Sequence, residues 1–439
     1  MKISDFSNKK VLVMGLGIHG GGLGVANFFL RTGAKVTVTD LKNESQLSSA
    51  LKKLVGKPEL ILGQHRKEDF QSADLVVRNP AVPAKSEFLK IARKAEVPVE
   101  MESSLFFLLS QTKNIVGVTG TKGKTTTTLL ISHLLKKAKF DVVFGGNLRL
   151  SMLELLPKIK RNSWVVLELS SWQLEGLTPH HLSPHIAVLT NIYKDHLNRY
   201  PAFADYVEAK KLIFEFQGSK DFFITNKNQT LTRKLADQAK SQVKFFSAAD
   251  LSEEIIRSCR LLGNHNLENV ACALTVAGIF GIEKNLLVEG LTSFKPLADR
   301  LEDLGQIGGV RFINDTCATA PEAAMAALST IFAPVILICG GTDKSLDYTQ
   351  MVRVINKKAK GVVLLEGSAT DKIAKNLQKT KVLGRFDNFQ TAILAAKNTA
   401  KAGDVVLLSP GCASFGMFEN EFDRGEKFKR IVKSLKLKN

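Results

Sequence analysis

The segment Thr119-Gly120-Thr121-Lys122-Gly123-Lys124-Thr125-Thr126 combines glycines, lysines and hydroxyls in an order suited to a phosphate chain. Backbone N–H groups beside the glycines can face phosphate oxygens, Lys124 can neutralise them, and the Thr125 hydroxyl can ligate Mg²⁺. The spacing departs from the strict G-x-x-x-x-G-K-[ST] pattern, because Val118 stands where the first glycine would fall and Gly117 lies one residue earlier. The ending Gly-Lys-Thr carries the chemistry, and ATP is the expected ligand; the bland alternative is a polar strand-to-helix turn. Downstream, Glu168 leads into Ser170-Ser171-Trp172-Gln173, and Asn191 leads to Asp195-His196. A carboxylate and an imidazole at strand ends are placed to meet a metal at the phosphate loop, although a strand glutamate is often salt-bridged and a lone histidine is often structural.

A second glycine-rich turn, Gly15-Leu16-Gly17-Ile18-His19-Gly20, follows an apolar run, and acidic Asp40 ends the next one. This is the G-x-G-x-x-G context with its acidic residue about 20 positions on, which suits a nicotinamide or flavin dinucleotide. The same turn suits another nucleotide diphosphate near a helix N-terminus, or a purely structural bend.

These residues require strands and helices in alternation. Val11–Met14 and Lys35–Asp40 read as strands around a helix through Val25–Leu30 that stops at Gly33. Ile115–Val118 (strand), Thr127–Leu135 (helix), Trp164–Leu169 and Ile186–Thr190 (strands) form a second series. Near Lys295-Pro296-Leu297 the pattern restarts, with strands at Val310–Ile313, Val335–Cys339, Gly361–Leu365 and Val405–Leu408 and helices at Pro321–Leu328 and Thr391–Ala400. The expected class is α/β with three domains: a Rossmann-like one over 1–110, a central P-loop ATPase-like mononucleotide-binding sheet over 111–296, and a second Rossmann-like one over 297–439. A chain of 439 residues agrees, since single cores rarely exceed ~250 residues.

Composition narrows the rest. Hydrophobic content of 44% with 23% charged residues and a mean hydropathy of +0.01 describe a globular chain. Its longest apolar runs fall far short of the ~20 residues a membrane span needs, and Met1–Lys10 carries no export signature. A cytoplasmic location without membrane insertion is expected. The five cysteines show no CxxC or Cys/His spacing, which argues against a zinc site or disulfide framework. Lys+Arg of 61 against Asp+Glu of 42 leaves a net charge of +19. With no aromatic-interleaved basic platform, that excess points to anionic small molecules and surface lysines, and nucleic acid is not expected.

Six segments together resemble the Mur ligase family across the full length: the phosphate loop, Leu167-Glu-Leu-Ser-Ser-Trp-Gln-Leu-Glu175, Asn191…Asp195-His196-Leu-Asn-Arg-Tyr200, Gly263-Asn-His-Asn-Leu-Glu-Asn269, Asn314-Asp-Thr-Cys-Ala-Thr319 and Ser409-Pro-Gly-Cys-Ala-Ser-Phe415. The last of these, with Cys339-Gly-Gly-Thr-Asp-Lys344, is similar to the D-glutamate-adding branch. The resemblance overrides the dehydrogenase reading. It implies a monomer that uses ATP and Mg²⁺ to join D-glutamate to UDP-N-acetylmuramoyl-L-alanine through an acyl phosphate. Another ligase of the superfamily, such as a different Mur ligase or a folylpolyglutamate synthase-like enzyme, is the alternative; a scaffold that binds nucleotide without turnover is disfavoured by retention of Lys124, Glu168, His196 and Lys210.

By the same resemblance, ATP meets Gly120, Thr121, Lys122, Gly123, Lys124, Thr125, Thr126, Asn266, Asn269, Arg300 and Asp315, and their distribution implies domain closure. Mg²⁺ falls to Thr125, Glu168, His196 and Lys210, the last as a carbamate formed with CO₂, with adjacent Lys211 leaving the register open by one position. Gly17, Ile18, His19, Asp40, Asn79 and Asn147 correspond to the UDP-substrate segments, and Thr319, Lys344 and Ser414 to the D-glutamate donors. Three departures touch the amino-acid pocket: Cys317 where many members have lysine, Ala320 where many have asparagine, and Phe422 displaced by one place in Asn420-Glu421-Phe422. The Gly20-Gly21-Gly22 insertion lengthens the first turn.

Overall fold

The computed structural model describes residues 1–17, 21–147, 151–195, 199–259, 261, 263–295, 298–344, 346–377 and 382–437. Ile18, His19 and His196, together with the Pro296-Leu297 boundary, lie outside the described residues. Met1–Cys259 with Leu267–Phe294 form one compact unit, and Arg260–Asn266 with Lys295–Asn439 form a second.

Among the described residues the strands make three sheets. The first contains β1 (Lys10–Met14), β2 (Lys35–Asp40), β3 (Glu59–Leu62), β4 (Leu75–Arg78) and β5 (Val99–Glu100), in the order β3-β2-β1-β4-β5, every pair parallel. The second contains β6 (Ile115–Thr119), β7 (Val142–Gly146), β8 (Trp164–Glu168), β9 (Ile186–Leu189), β10 (Phe222–Asn226) and β11 (Gln242–Phe246), in the order β11-β10-β9-β6-β8-β7, again all parallel. Strands covered on both faces read as continuous apolar runs, and β6, β8 and β9 are buried almost throughout. In open α/β sheets ligands bind beyond the carboxyl ends of strands, where the direction of strand addition reverses. In the first sheet that point lies between β1 and β4, which Gly15 and Asn79 leave; in the second it lies at β6, which the phosphate loop leaves between Glu168 of β8 and Thr190 after β9.

The third sheet contains β12 (Glu302–Ile307), β13 (Val310–Asn314), β14 (Val335–Gly340), β15 (Ala359–Leu365), β16 (Val382–Phe386) and β17 (Val405–Leu408), in the order β12-β13-β17-β14-β15-β16. It is mixed, because β12 runs antiparallel to β13. That edge strand, Glu-Asp-Leu-Gly-Gln-Ile, is mostly exposed or half-exposed and polar, so it leaves no apolar run to be read in the sequence.

Within the first unit, the first two sheets are knit by small contacts. Helix α1 (Gly21–Arg31) approaches so closely that a Cβ on Gly24 would stand 2.2 Å from Ser151 Cβ. Glu102, at the start of α2 (Glu102–Leu109), is buried and accepts the Ser151 hydroxyl at 2.5 Å as well as the N–H groups of Met152 and Leu153. Burial outweighs these donors and pushes its carboxyl up to about 7. A folded value above the ordinary 4.5 means the associated stability is complete below that value and is lost as pH rises through about 7. Between pH 6 and 8 the loss amounts to about 1.4 kcal/mol. Thermal melts of wild type and Glu102→Gln at both pH values test this: the difference in Tm is expected to move in the variant's favour by ~3 °C at the higher pH.

Candidate active site

The phosphate loop is short because β6 extends further than the motif suggests. Gly117 and Val118 lie inside the strand, so the loop proper begins at Gly120, and position 118 is a buried strand residue with no need to be glycine. Gly120 and Gly123 have positive φ angles of 150° and 82°. Added Cβ atoms would lie 1.9 Å from Thr190 Oγ1 and 2.2 Å from Asn269 Oδ1 respectively, so both backbone bends are closed to other residues. Asn191 shapes the loop from outside: its Oδ1 accepts the Lys122 N–H at 2.9 Å and its carbonyl accepts the Thr121 N–H at 2.9 Å.

Helix α3 (Lys124–Lys137) starts directly at Lys124, aiming its N-terminal N–H groups at the loop, an arrangement that favours anions. Lys124 Nζ donates to the carbonyls of Gly120 at 3.0 Å and Thr121 at 3.1 Å. The Thr125 hydroxyl donates to Glu168 Oε2 at 2.6 Å, and Asn147 Nδ2 donates to Glu168 Oε1 at 2.8 Å. Thr126 is half-buried beside them, and Asn269 is buried, with its Oδ1 accepting the Thr127 hydroxyl at 3.3 Å.

Lys210 reaches the same place from α4 (Phe203–Lys211). It is 2% exposed, donates to the Gly120 carbonyl at 2.8 Å and lies 4.8 Å from the centre of the Tyr206 ring. Burial first, and the charge of Lys124 second, hold its ammonium well below the ordinary lysine range, against the opposite pull of Asp195 and Glu168. Lys211 instead pairs with Glu215 at 3.0 Å. The one-residue ambiguity of the sequence therefore has a geometric answer: Lys210 is the lysine beside the loop.

Among the described residues no group of three or more His, Cys, Asp or Glu side chains gathers to hold an ion. The oxygen groups that meet beside the loop include the Glu168 carboxylate and the Thr125 hydroxyl. That set fits Mg²⁺, which takes one or two carboxylates, keeps water and completes its shell with substrate phosphates.

At the first sheet, Asp40 braces the glycine turn: Oδ2 accepts the Gly17 N–H at 3.0 Å and Oδ1 the Lys42 N–H at 2.9 Å. Asn79 donates Nδ2–H to the Gly15 carbonyl at 3.2 Å and accepts the Ala81 N–H at 3.0 Å. Asn147, matched by sequence to the UDP-substrate segments, sits at Glu168.

In the second unit Asp315, Thr319, Lys344 and Ser414 all follow carboxyl ends of strands of the third sheet, Asp315 and Thr319 after β13, Lys344 after β14 and Ser414 after β17. Asp315 is buried, accepts the Ser409 hydroxyl at 2.7 Å and the Leu301 N–H at 3.2 Å, and is pushed up to about 7 by burial, with exposed Arg300 pulling it down. Lys344 is exposed and Ser414 buried. The thiol of Cys317 is pushed up to about 11 by burial, so it stays neutral at the position where the resemblance implies a lysine. Asn420 accepts the N–H groups of Phe422 and Asp423 at 2.9 and 3.0 Å. This caps the last helix, α6 (Glu421–Leu437, with α5 spanning Asn264–Ile279). Asn266 lies in the first turn of α5, half-buried.

Residues that sequence reasoning left without a role also shape these sites. Asn191 was visible only as part of a motif. Tyr206, whose hydroxyl meets Thr121 Oγ1 at 3.1 Å, stands one helical turn before Lys210, a spacing that signals a shared face.

The chain matches three family models: Mur ligase MurD-like, N-terminal domain over residues 9–100, Mur ligase middle domain over 118–277, and Mur ligase, glutamate ligase domain over 299–412. It is 44% identical to a UDP-N-acetylmuramoylalanine--D-glutamate ligase of Roseiflexus sp. (strain RS-1), covering 98% of this chain and 99% of that protein. It is 35% identical to the like-named protein of Borreliella afzelii (strain PKo), covering 99% and 100%. Among solved structures, the UDP-N-acetylmuramate-alanine ligase of Thermotoga maritima superposes with a TM-score of 0.62 at 20% identity over 97% of this chain and 99% of that one. The MurF ligase of Thermotoga maritima in complex with ADP gives 0.61 at 18%, over 99% and 97%. At such identity these two structures speak for the fold alone.

Proposed function

Because this chain belongs to the Mur ligase family, we propose that it is the ATP-dependent ligase that adds D-glutamate to UDP-N-acetylmuramoyl-L-alanine in the synthesis of peptidoglycan precursors. One observation carries the chemistry: Lys124, Thr125, Glu168 and buried Lys210 converge on a single glycine loop at the switch point of the second sheet.

The carboxylate of the L-alanyl group attacks the γ-phosphorus of ATP, the bond to the β-phosphate oxygen breaks, and ADP departs from an acyl phosphate. The amine of D-glutamate attacks the acyl carbon to form the carbon–nitrogen bond, the carbon–oxygen bond breaks, phosphate leaves with its electron pair, and the nitrogen loses a proton to phosphate or solvent. Both steps bring anions together, so the loop N–H groups and Lys124 serve by holding the phosphates in line and offsetting their charge. Thr125, Glu168, His196 and carbamylated Lys210 would hold Mg²⁺, which when bound supplies further neutralisation of the phosphate oxygens. Carbamylation joins a neutral amine to CO₂ and converts a cation into an anionic oxygen donor, and the enclosed, depressed ammonium of Lys210 favours it.

Gly120, Thr121, Lys122, Gly123, Thr126, Asn266, Asn269, Arg300 and Asp315 bind ATP in this reading; Gly17, Ile18, His19, Asp40, Asn79 and Asn147 bind the UDP-sugar. Thr319, Lys344 and Ser414 bind the two carboxylates of D-glutamate, whose separation lets the pocket sense length and hand. Phosphate release tests it. With ATP, Mg²⁺, bicarbonate and UDP-N-acetylmuramoyl-L-alanine, turnover is expected with D-glutamate and at least ~100-fold less with L-glutamate. Equal turnover of the enantiomers would overturn the pocket assignment, and turnover only with a folate and L-glutamate would overturn the substrate.

A further inference from the structure

A path of hydrogen bonds, one ring contact and chain joins the two glycine loops of the first unit. It begins at the phosphate loop, where Asn191 holds Thr121 and Lys122. From there the Thr121 hydroxyl meets the Tyr206 hydroxyl at 3.1 Å, the centre of the Tyr206 ring stands 5.5 Å from that of Tyr200, and next to Tyr200 in the chain is Arg199, whose side chain is 14% exposed. Its guanidinium donates Nη1–H to the Ala81 carbonyl at 2.8 Å and Nη2–H to the Pro80 carbonyl at 3.1 Å. Pro80 and Ala81 follow Asn79, which holds the Ala81 N–H and donates to the Gly15 carbonyl of the other glycine turn.

The fork is braced on every side. Arg199 Nη2 lies 3.6 Å from Glu175 Oε2, and the guanidinium stands 4.9 Å from the centre of the Trp172 ring. Glu175 faces Arg78 Nη2 at 3.6 Å and accepts the Tyr200 hydroxyl at 3.1 Å. Arg78 in turn donates to the Val82 carbonyl at 2.8 Å, closing the far side of the same short loop. A planar guanidinium that spans two successive carbonyls sets their spacing as well as their position, which a point-charge ammonium does not.

We infer that Arg199 is a positioning residue that couples the two loops, so that the UDP-sugar at the glycine turn and ATP at the phosphate loop raise each other's affinity. This rests on the function proposed above. Coupling between sites commonly amounts to ~5–150-fold, and it is the same whichever ligand is bound first.

Calorimetry on the full chain with Mg²⁺ tests the inference, using a non-hydrolysable ATP analogue titrated with and without UDP-N-acetylmuramoyl-L-alanine. In wild type each ligand is expected to tighten the other by ~5-fold or more. In Arg199→Ala the factor should fall to about 1, while the analogue alone binds within ~2-fold of wild type. Arg199→Lys, which keeps the charge and can reach one carbonyl, should be intermediate, and it decides the matter if circular dichroism shows Arg199→Ala misfolded. Steady-state KM for both substrates should rise more than kcat falls. Wild-type coupling retained in the folded variants, or wild type binding both ligands without coupling, overturns the inference and leaves the function standing. Wild type that binds the analogue and ignores the UDP-sugar overturns the functional reading, and the inference with it.

Discussion

Replacing Lys124 by methionine is expected to lower phosphate release at saturating ATP by ~10³-fold, with little change in the melting temperature. The side chain is half-exposed and its amine serves two loop carbonyls, so methionine retains the aliphatic stem while the cation disappears. Charge that accumulates as a phosphoryl group moves between two anions is the quantity the ammonium meets, and that interaction grows toward the transition state. The measurement is single-turnover ADP formation across an ATP titration. A rise in KM alone with kcat intact would place Lys124 in ground-state binding and sink the proposed role.

Lys210→Met should reduce turnover by ~10²–10³-fold and should also abolish any dependence of the rate on added bicarbonate. The second readout separates a carbamate from a lysine that merely braces Gly120, since only the former draws on dissolved CO₂. Lys211→Met is the internal control. Its amine pairs with half-exposed Glu215, away from the loop carbonyl that Lys210 holds, and its turnover should stay within ~2-fold of wild type, because the pair lies along one helix face and reaches solvent. A bicarbonate response that survives in Lys210→Met would show that the carbamate, if there is one, sits elsewhere.

How far these sites were legible in the sequence depended on what each residue touches. Buried parallel strands such as Ile115–Thr119 and Val405–Leu408 announced themselves as apolar runs, and the phosphate loop announced itself by glycines that nothing else could replace at φ angles of 150° and 82°. Lys210 was ambiguous with Lys211 along the chain. The phase of α4 resolves it, because Tyr206 and Lys210 share one buried face. Edge strand β12 was illegible because a half-exposed polar strand has no hydrophobic signature. Arg199 stood inside a recognised segment but without a role, for a different reason: its partners at Pro80 and Ala81 are backbone carbonyls, which have no identity in a sequence. Glu102 reads as an ordinary helix-start acid, and only the distant chain at Ser151–Leu153 encloses it.

The bare backbone of Gly24 against Ser151 bears on how this enzyme tolerates exchange of parts. A chimera that borrows its N-terminal module from a relative must import a matching hollow at that point, or trim Ser151, before any catalytic residue is considered. Grafts that ignore this pair would splay the graft junction and fail as proteins while every motif stayed intact, so the contact is a compatibility rule for swapping modules between ligases of different amino-acid preference.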